Sequence, residues 1–329
     1  MSHGATRCRT AAIAVLAVLL AGCTTGSLPG APGSPSAPGS SSPTPSPPVS
    51  PFTGLPTDLA APVLVVKIDN VGQARPQTGL TAADLVYVEP VEGGISRLAA
   101  VFQSQVPPVV GPVRSVRRTD VQLLANFGRP AFAFSGEAPE LRPLLDRSPA
   151  VDVSAPARPG AYFREGARPR PHNLYGDAAR LAPAGAPPVD IGFEFGPTPA
   201  GGRPVEATSV SYRSARIGIE WAQAQHRWVF AMDGAPLRAA EGGRPGAATV
   251  VLQRVRLKPT AIRDATGAVS PFAVTVGHGE AVVLRDGRSF QGQWSRPAPP
   301  APTTFSRSDG TPLPLAPGKV WVILVPAPG

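Results

Sequence analysis

Arginine, carboxylate and histidine side chains that could bind or activate a ligand are concentrated between positions 69 and 173 of this sequence. The candidate ligand-binding residues are Asp69, Asn70, Arg75, Glu89, Glu92, Arg97, Arg114, Ser115, Arg117, His172 and Asn173. Asp69 and Asn70 follow an apolar run, which is where ligand contacts usually lie in layered α/β folds. The set predicts a polar pocket for a small anionic or polyhydroxylated ligand.

The residues from 114 to 118 form the most concentrated group of cations in this set. Arg114, Ser115, Arg117 and Arg118 precede a predicted helix whose N-cap candidate is Thr119. Guanidinium groups beside a helix N-terminus favour an anion, because backbone N–H dipoles and bidentate donors point to the same place. The alternative interpretation is that arginine–glutamate pairs simply tie loops together, and the sequence leaves both open.

The stretch REGARPRPHNLYG presents His172 between Pro171 and Asn173. An imidazole at this position can donate one hydrogen bond and accept another. The sequence therefore allows three roles for it: holding the loop, binding a ligand or transferring a proton. Ser115 and Ser135 are the candidate nucleophiles that His172 could activate. Neither serine lies in a recognisable nucleophile elbow.

A pair of carboxylates is a second candidate for acid–base catalysis. Glu89 and Glu92 lie three positions apart on a predicted strand, and side chains at that spacing point to opposite faces. The spacing therefore argues against a general acid–base pair. A hydrolase that acts on cell-envelope material, with Asp69, Glu89 or His172 as acid or base, is the alternative to a binding protein.

Common catalytic and metal-binding motifs are absent from the sequence. It has no H-E-x-x-H, no G-x-S-x-G, no S-x-x-K and no Walker loop. The histidines beyond the N-terminal segment, His172, His226 and His278, are scattered, and no pair has the spacing of metal ligands. Neither a metal site nor a cofactor is predicted.

The N-terminal residues have the pattern of a targeting segment. Arg7 and Arg9 precede the apolar run Ala11–Leu20, which is too short to span a bilayer and has the length of a signal-peptide core. The motif LAGC that follows resembles a bacterial lipobox, which implies removal of residues 1–22 and acylation, including palmitate, at Cys23. An ordinary signal peptide with a chance cysteine is the alternative. The lipobox predicts an extracytoplasmic protein that is lipid-anchored in the cell membrane.

Residues 23–57 are predicted to be a disordered linker that begins at the lipidated cysteine. Of the 28 residues from Thr24 to Pro51, 21 are Pro, Ser or Gly and none is charged, so the segment has little apolar surface to bury. The sequence has two cysteines, Cys8 and Cys23. With Cys8 removed, neither an intrachain disulfide nor a thiol nucleophile is expected.

The net charge of +9 is unevenly distributed. Residues 58–200 contain 14 basic and 14 acidic side chains, whereas residues 201–329 contain 15 basic and 8 acidic ones, a net charge of +7. An excess of positive charge gives information about binding partners and not about the fold. Here it predicts contact with an anionic cell-wall polymer. No nucleic-acid partner is expected, because no aromatic stacking platform is interleaved with the arginines.

The hydrophobic pattern divides the chain beyond the linker into two predicted domains. From 58 to 200, strand-like runs such as Val63–Ile68 mix with short helical patterns, which indicates a layered mixed α/β domain. From 201 to 329, alternating runs and three Asp-Gly turn signals predict a β-rich domain of about eight strands in a meander. The fold class is therefore α+β.

Several long motifs resemble the family of YerB-like lipoproteins, which is defined by a domain of unknown function with an N-terminal and a C-terminal part. The motifs are VKIDN, ARPQTGLTAADLVYVEPVEGGISRLAAVF, GPVRSVRRTD, RPHNLY, FQGQWSRP and PGKVWVILVP. They extend over nearly the whole chain beyond the linker. The resemblance implies a mixed α/β N-terminal part and a β-rich C-terminal part, and it implies no activity.

Overall fold

A computed structural model describes residues 48–264 and 267–328, and these residues belong to one compact unit. The predicted signal peptide, the lipidation site Cys23 and the linker up to residue 47 lie outside the described residues. Among the described residues, no helix combines the length and the hydropathy needed to cross a membrane.

The folded part begins ahead of the predicted boundary at Asp58. Phe52 is completely buried, and its ring packs edge-on against Phe127 with 6.0 Å between the ring centroids. Val49 and Pro56 form an isolated antiparallel bridge. The prediction of a disordered linker is therefore wrong for residues 48–57, because Phe52 packs into the core and Ser50 and Thr53 are buried with it.

The strands are numbered in chain order. In the first part they are β1 Leu64–Asp69, β2 Leu85–Pro90, β3 Ser96–Phe102, β4 Val109–Val110, β5 Ala131–Ala133, β6 Val151–Asp152, β7 Tyr162–Arg164 and β8 Leu174–Asp177. In the second part they are β9 Arg203–Pro204, β10 Ala207–Tyr212, β11 Ala215–Ala222, β12 Arg227–Met232, β13 Ala235–Pro236, β14 Gly246–Ala247, β15 Thr249–Val255, β16 Leu257–Arg263, β17 Val269–Ala273, β18 Gly277–Arg285, β19 Arg288–Arg296, β20 Thr304–Ser306 and β21 Val320–Pro326. The α-helices are α1 Arg118–Leu124, α2 Arg142–Leu145 and α3 Ala178–Leu181.

One sheet of eleven strands organises the fold. Its order is β20-β19-β18-β15-β21-β2-β3-β1-β5-β6, with β9 paired to β19. The last strand, β21, lies between β2 and β15 and runs parallel to both. Few short helices beside many strands make this an α+β fold with a β-rich C-terminal part, as predicted. The expected meander is wrong, because the apolar strand β21 is buried inside the sheet that both parts of the chain share.

The two faces of this sheet carry separate hydrophobic clusters. On β1, Leu64, Val66 and Ile68 belong to one cluster, and Val65 belongs to the other. Because side chains alternate along a strand, Lys67 and Asp69 lie on the same face as Val65. Two ionisable groups are thus placed on a buried sheet face.

Helix α1 covers this face and begins differently from the prediction. Its N-cap is Arg117, whose backbone N–H donates to a carboxylate oxygen of Asp120 at 2.6 Å. The predicted N-cap residue, Thr119, lies inside the helix instead, and its hydroxyl accepts from the backbone N–H of Ala273 at 3.0 Å. A tertiary contact has therefore replaced the local cap.

The hairpin of β16 and β17 forms a separate two-stranded sheet. Strand β17 packs against α1 and against the 3-10 turn Glu92–Gly94, which joins β2 to β3. The C-terminal part of the chain thereby reaches the region where the candidate residues of the N-terminal part lie.

Candidate functional site

Asp69, at the end of β1, is the centre of the candidate site. Its side chain is completely buried. Its Oδ2 lies 2.7 Å from Nδ1 of His172 and 3.1 Å from Nε of Arg114, and its Oδ1 lies 3.5 Å from Nη1 of Arg97. Three of the predicted residues therefore converge on one carboxylate.

The strand register places Arg97 between two carboxylates. Arg97 on β3 is paired with Asp69 on β1 and with Glu89 on β2, so the three side chains form a row on one face of the sheet. Only 5% of the Arg97 side chain is exposed. Its buried Nε and Nη1 make no hydrogen bond within the described part of the chain. Burial lowers the pKa of Arg97 to about 10, so the side chain is still a cation at neutral pH.

Arg114 is held in place by its backbone. Its N–H donates to the carbonyl of Lys67 at 2.8 Å, and its carbonyl accepts from the N–H of Ser135 at 2.9 Å. The Nε atom is close to Asp69 but forms no aligned hydrogen bond among the described residues. Burial lowers the pKa of Arg114. Arg97 and Arg114 thus share one carboxylate, and neither forms a bidentate pair with it.

Arg117 forms an ion pair with Glu92 across the same region, with 2.5 Å between Nε and Oε1. Burial alone would raise the pKa of Glu92, but hydrogen bonding and the charge of Arg117 outweigh it, so the pKa is lowered. Glu92 belongs to the turn that contains Gly93 and Gly94, both in the left-handed region with φ of 67° and 75°. Glycine adopts this conformation without the steric cost of a Cβ.

These arginines line a cleft of about 480 Å³. We call it the arginine cleft. Its lining includes Glu92, Arg97, Arg114, Ser115, Arg117 and Glu137, together with Ile262, Arg263 and Asp264 of the β16–β17 region. The last three residues were not foreseen from the sequence, because nothing in a local pattern indicates which hairpin folds over a distant cluster.

A buried ionic cluster beneath the cleft was also not foreseen. The Nζ atom of Lys67 lies 2.7 Å from Oε2 of Glu89 and 2.7 Å from Oδ1 of Asp120, and all three side chains are excluded from solvent. Burial and the nearby charge of Asp120 raise the pKa of Glu89 to about 8. The available signal was the lysine itself, a cation inside an otherwise apolar strand, where lysine is rarely buried without a partner.

Several predicted residues lie outside the cleft. Asn70 donates to the hydroxyl of Ser96 at 2.8 Å, and Arg75 pairs with Asp233 at 2.7 Å. Asn173 accepts from Arg164 at 2.9 Å within its own hairpin. Glu89 and Glu92 hold different partners, so the two do not form a pair. Arg118 is exposed, and its guanidinium group lies 5.0 Å from the ring centroid of Phe272.

His172 connects its hairpin to the central sheet. Its backbone N–H donates to the carbonyl of Pro169 at 2.9 Å, and its side chain is 19% exposed. With Nδ1 as the donor to Asp69, Nε2 is the ring nitrogen that remains for another partner. This contact spans 103 positions of sequence, so His172 has an architectural role even if it also contacts a ligand.

The cleft presents a group of cationic hydrogen-bond donors. Four guanidinium groups line it, those of Arg97, Arg114, Arg117 and Arg263, and the first two share one buried carboxylate. Anionic oxygens are the natural acceptors for such donors, because charge-assisted hydrogen bonds to guanidinium are stronger than neutral ones. Within residues 48–264 and 267–328, no group of three histidine, cysteine or acidic side chains is placed to hold a metal ion.

Comparison with known proteins identifies the family. The N-terminal domain of DUF3048, a protein of unknown function, matches residues 52–187, and the DUF3048 C-terminal domain matches residues 207–322. The chain belongs to the DUF3048 family. The arginine cleft is therefore built by both DUF3048 domains, because Ile262 and Arg263 come from the C-terminal match.

Two YerB comparisons extend this result. YerB of Bacillus subtilis (strain 168), which is named as a lipoprotein, is 39% identical over 131 residues, covering 38% of this chain and 39% of YerB. This match therefore spans well under half of the relative's length. The crystal structure of the YerB protein from Bacillus subtilis matches 85% of this chain and 97% of that chain with a TM-score of 0.70 at 24% identity. At that identity the structural likeness supports the fold alone.

The name of YerB is relevant to the LAGC motif near the N-terminus. Similarity to a protein named as a lipoprotein agrees with the expectation drawn from LAGC, and it supports a lipoprotein of the YerB-like family. A lipoprotein is held at a membrane by its acyl chains.

Proposed function

We propose that this DUF3048 protein is a lipid-anchored, extracytoplasmic binding protein that takes up a small anionic ligand in the arginine cleft. The lipobox-like motif and the similarity to YerB support the anchor and the location. The charge and geometry of the cleft support the binding of an anion. Of the two ligand classes suggested by the sequence, anionic and polyhydroxylated, the anionic class fits these residues better.

One observation carries the proposal, and it concerns Arg97. Its side chain is 95% buried, and its Nε and Nη1 donors make no hydrogen bond among the described residues. A buried donor without a partner costs on the order of 1–3 kcal/mol, and more when it is charged. An anion in the adjoining cleft would offset this cost by accepting from Arg97 or by balancing its charge.

The neighbouring charges support the binding of one more anion. Asp69 lies beside Arg97 and Arg114, whereas Glu92 is already paired with Arg117. Glu137, another cleft residue, is paired with Arg142 at 3.2 Å. Arg263 and Asp264 add one charge of each sign to the cleft. At Asp69 itself, two guanidinium groups share one carboxylate.

A thermal-shift series at constant ionic strength tests the proposal. Inorganic phosphate and pyrophosphate should raise the melting temperature, because a ligand that binds only the native state stabilises it by about 2.7 kcal/mol at one hundred times its Kd. Chloride at the same ionic strength and a neutral disaccharide should have little effect. Stabilisation by the disaccharide and by neither phosphate would contradict the anion proposal and favour a polyhydroxylated ligand.

A second candidate function, hydrolysis of an envelope phosphoester or glycan, is favoured by the Asp69–His172 contact. A carboxylate that accepts from Nδ1–H orients the imidazole and leaves Nε2 to take a proton from water. Of the three proposed acid–base residues, His172 is partly exposed, whereas Asp69 and Glu89 are completely buried. Phosphate release from p-nitrophenyl phosphate by the wild type, lost in His172→Asn, would support this candidate; release that persists would exclude His172 from the chemistry.

An anionic wall polymer is the partner proposed for the basic C-terminal part. Arg256 and Lys258 are exposed, and Arg254 is partly exposed. These three cations lie at alternate positions of the chain near the start of β16. Exposed charges of this kind attract polyanions in a salt-dependent manner, because the screening length is about 8 Å at physiological ionic strength.

A further inference from the structure

A second cavity lies beside the arginine cleft. It has a volume of about 670 Å³ and is lined mainly by apolar side chains, which include Val91, Tyr212, Leu257, Val269, Pro271 and Pro326. We call it the apolar groove. It is formed between the end of β2, the β10–β11 turn and the β16–β17 hairpin.

The groove and the cleft share a wall. Arg263 lines both cavities. The turn between β2 and β3 also contributes to both, with Glu92 on the cleft side and Gly93 and Gly94 on the groove side. The two cavities therefore adjoin at this turn.

The turn is held tightly against the groove's far wall. A Cβ on Gly94 would lie 2.5 Å from the Cβ of Arg213, which also lines the groove. Since real Cβ atoms do not approach so closely, the turn packs on the β10–β11 connection with no room for a side chain. The wall between the two cavities is therefore a fixed part of the fold.

The charges differ between the two cavities. Glu92, Glu137 and Asp264 are carboxylates of the arginine cleft, whereas the residues that line the groove include Arg213 and Arg263 and, in the described part of the chain, no carboxylate. Two of its apolar side chains are partly exposed, Leu257 at 38% and Val269 at 36%. Covering them with an apolar group would be favourable, at roughly 25 cal/mol per Å².

We propose that the ligand of this protein is an amphiphile of the lipid phosphate class. Its phosphate lies in the arginine cleft, and its hydrocarbon chain passes the Glu92–Gly94 turn into the apolar groove. This inference rests on the proposed function, because the phosphate is held by the same arginines. The inference goes beyond the proposed function in assigning a hydrocarbon chain to the ligand, a feature that a free anion lacks. It also assigns Leu257 and Val269 as residues that contact this hydrocarbon chain.

Calorimetric titration with monoalkyl phosphates of increasing length, from methyl to octyl and below their micelle concentrations, tests the inference on the full chain. Each CH2 that enters the groove is expected to tighten binding up to about fourfold, from a transfer free energy of about 0.8 kcal/mol. In the double variant Leu257→Asn/Val269→Asn, this dependence on chain length should fall by half or more, while the affinity for methyl phosphate stays within about twofold of the wild type.

A matched control separates the groove from general surface hydrophobicity. Leu55 and Val189 are exposed to a similar extent, at 45% and 43%, and do not line either cavity. The double variant Leu55→Asn/Val189→Asn should keep the wild-type dependence on chain length. Phosphate binding without any dependence on chain length would overturn the lipid inference and leave the anion proposal standing. No binding of any phosphate would overturn both.

Discussion

Replacing Lys67 with methionine is expected to lower the free energy of unfolding by about 3–5 kcal/mol at pH 8, because it leaves two carboxylates buried without their cation. Lys67 lies 2.7 Å from both Glu89 and Asp120, and none of the three side chains is exposed beyond 1%. Methionine keeps most of the length and volume of lysine. The loss of stability therefore measures the removal of the charge and not the creation of a cavity. Denaturant unfolding of the two proteins measures the difference.

The loss should depend on pH in a defined direction. Burial raises the pKa of Glu89 to about 8, above its ordinary value near 4.5. The stability contributed by this group is therefore present below about pH 4.5 and is lost as the pH rises through about 8. Lys67 opposes the raised pKa, so its removal raises the pKa further. The deficit of the Lys67→Met variant should be larger at pH 8 than at pH 5.

Two further variants test whether the buried cluster of Lys67, Glu89 and Asp120 accounts for the loss of stability. Adding Glu89→Gln to Lys67→Met removes one of the stranded carboxylates and should recover a substantial part of the loss at pH 8. Arg254→Met breaks an exposed ion pair with Glu280 and should cost less than about 1 kcal/mol. An unchanged stability in Lys67→Met, or a loss as small as that of Arg254→Met, would show that the buried cluster does not stabilise the fold.

Asp69→Asn is the second substitution with a large expected effect. It removes the carboxylate shared by Arg97, Arg114 and His172 while keeping the shape of the side chain. The free energy of unfolding at low salt should fall by about 3–5 kcal/mol, because the buried guanidinium groups lose their counter-charge. Pyrophosphate should then stabilise the variant more than the wild type, since the cleft has become more positive.

Asp233→Asn is the control for this substitution. It removes the carboxylate that pairs with Arg75, where Asp233 is 45% exposed, and screening by solvent makes such pairs weak. Stability should change by less than about 1 kcal/mol, and the response to pyrophosphate should match that of the wild type. If Asp69→Asn behaved in the same way as Asp233→Asn, the arginines of the cleft would not depend on Asp69 for their charge balance.

Local sequence patterns account for the elements that carry the site but not for their convergence. The apolar run before Asp69 predicts β1, and the glycine pair at Gly93 and Gly94 predicts the turn between β2 and β3. The contact between Asp69 and His172 joins residues 103 positions apart. Local sequence periodicity cannot predict a contact over such a separation, because the contact depends on how the hairpin of β7 and β8 docks on the sheet.

Two features escaped prediction for reasons that lie in long-range packing. Lys67 and Asp120 are 53 positions apart. A lysine inside an apolar strand indicates that a buried partner exists, but no local pattern shows which residue it is. Strand β21 has the apolar composition of a buried strand, but its parallel pairing with β2 joins Val320 to Leu85. A pairing between strands so far apart in sequence leaves no local signal in either strand.

The most direct test of the arginine cleft is a calorimetric titration with pyrophosphate of the wild type, Arg114→Gln and Arg118→Gln. Both variants lose one positive charge within five residues of each other, but Arg114 lines the cleft and Arg118 lies over Phe272 outside it. Arg118→Gln is expected to bind like the wild type. Arg114→Gln is expected to bind about tenfold more weakly or worse, because a hydrogen bond to a charged group contributes about 1.5–3 kcal/mol. Equal affinity in all three proteins, or a loss confined to Arg118→Gln, would contradict an anion site in this cleft.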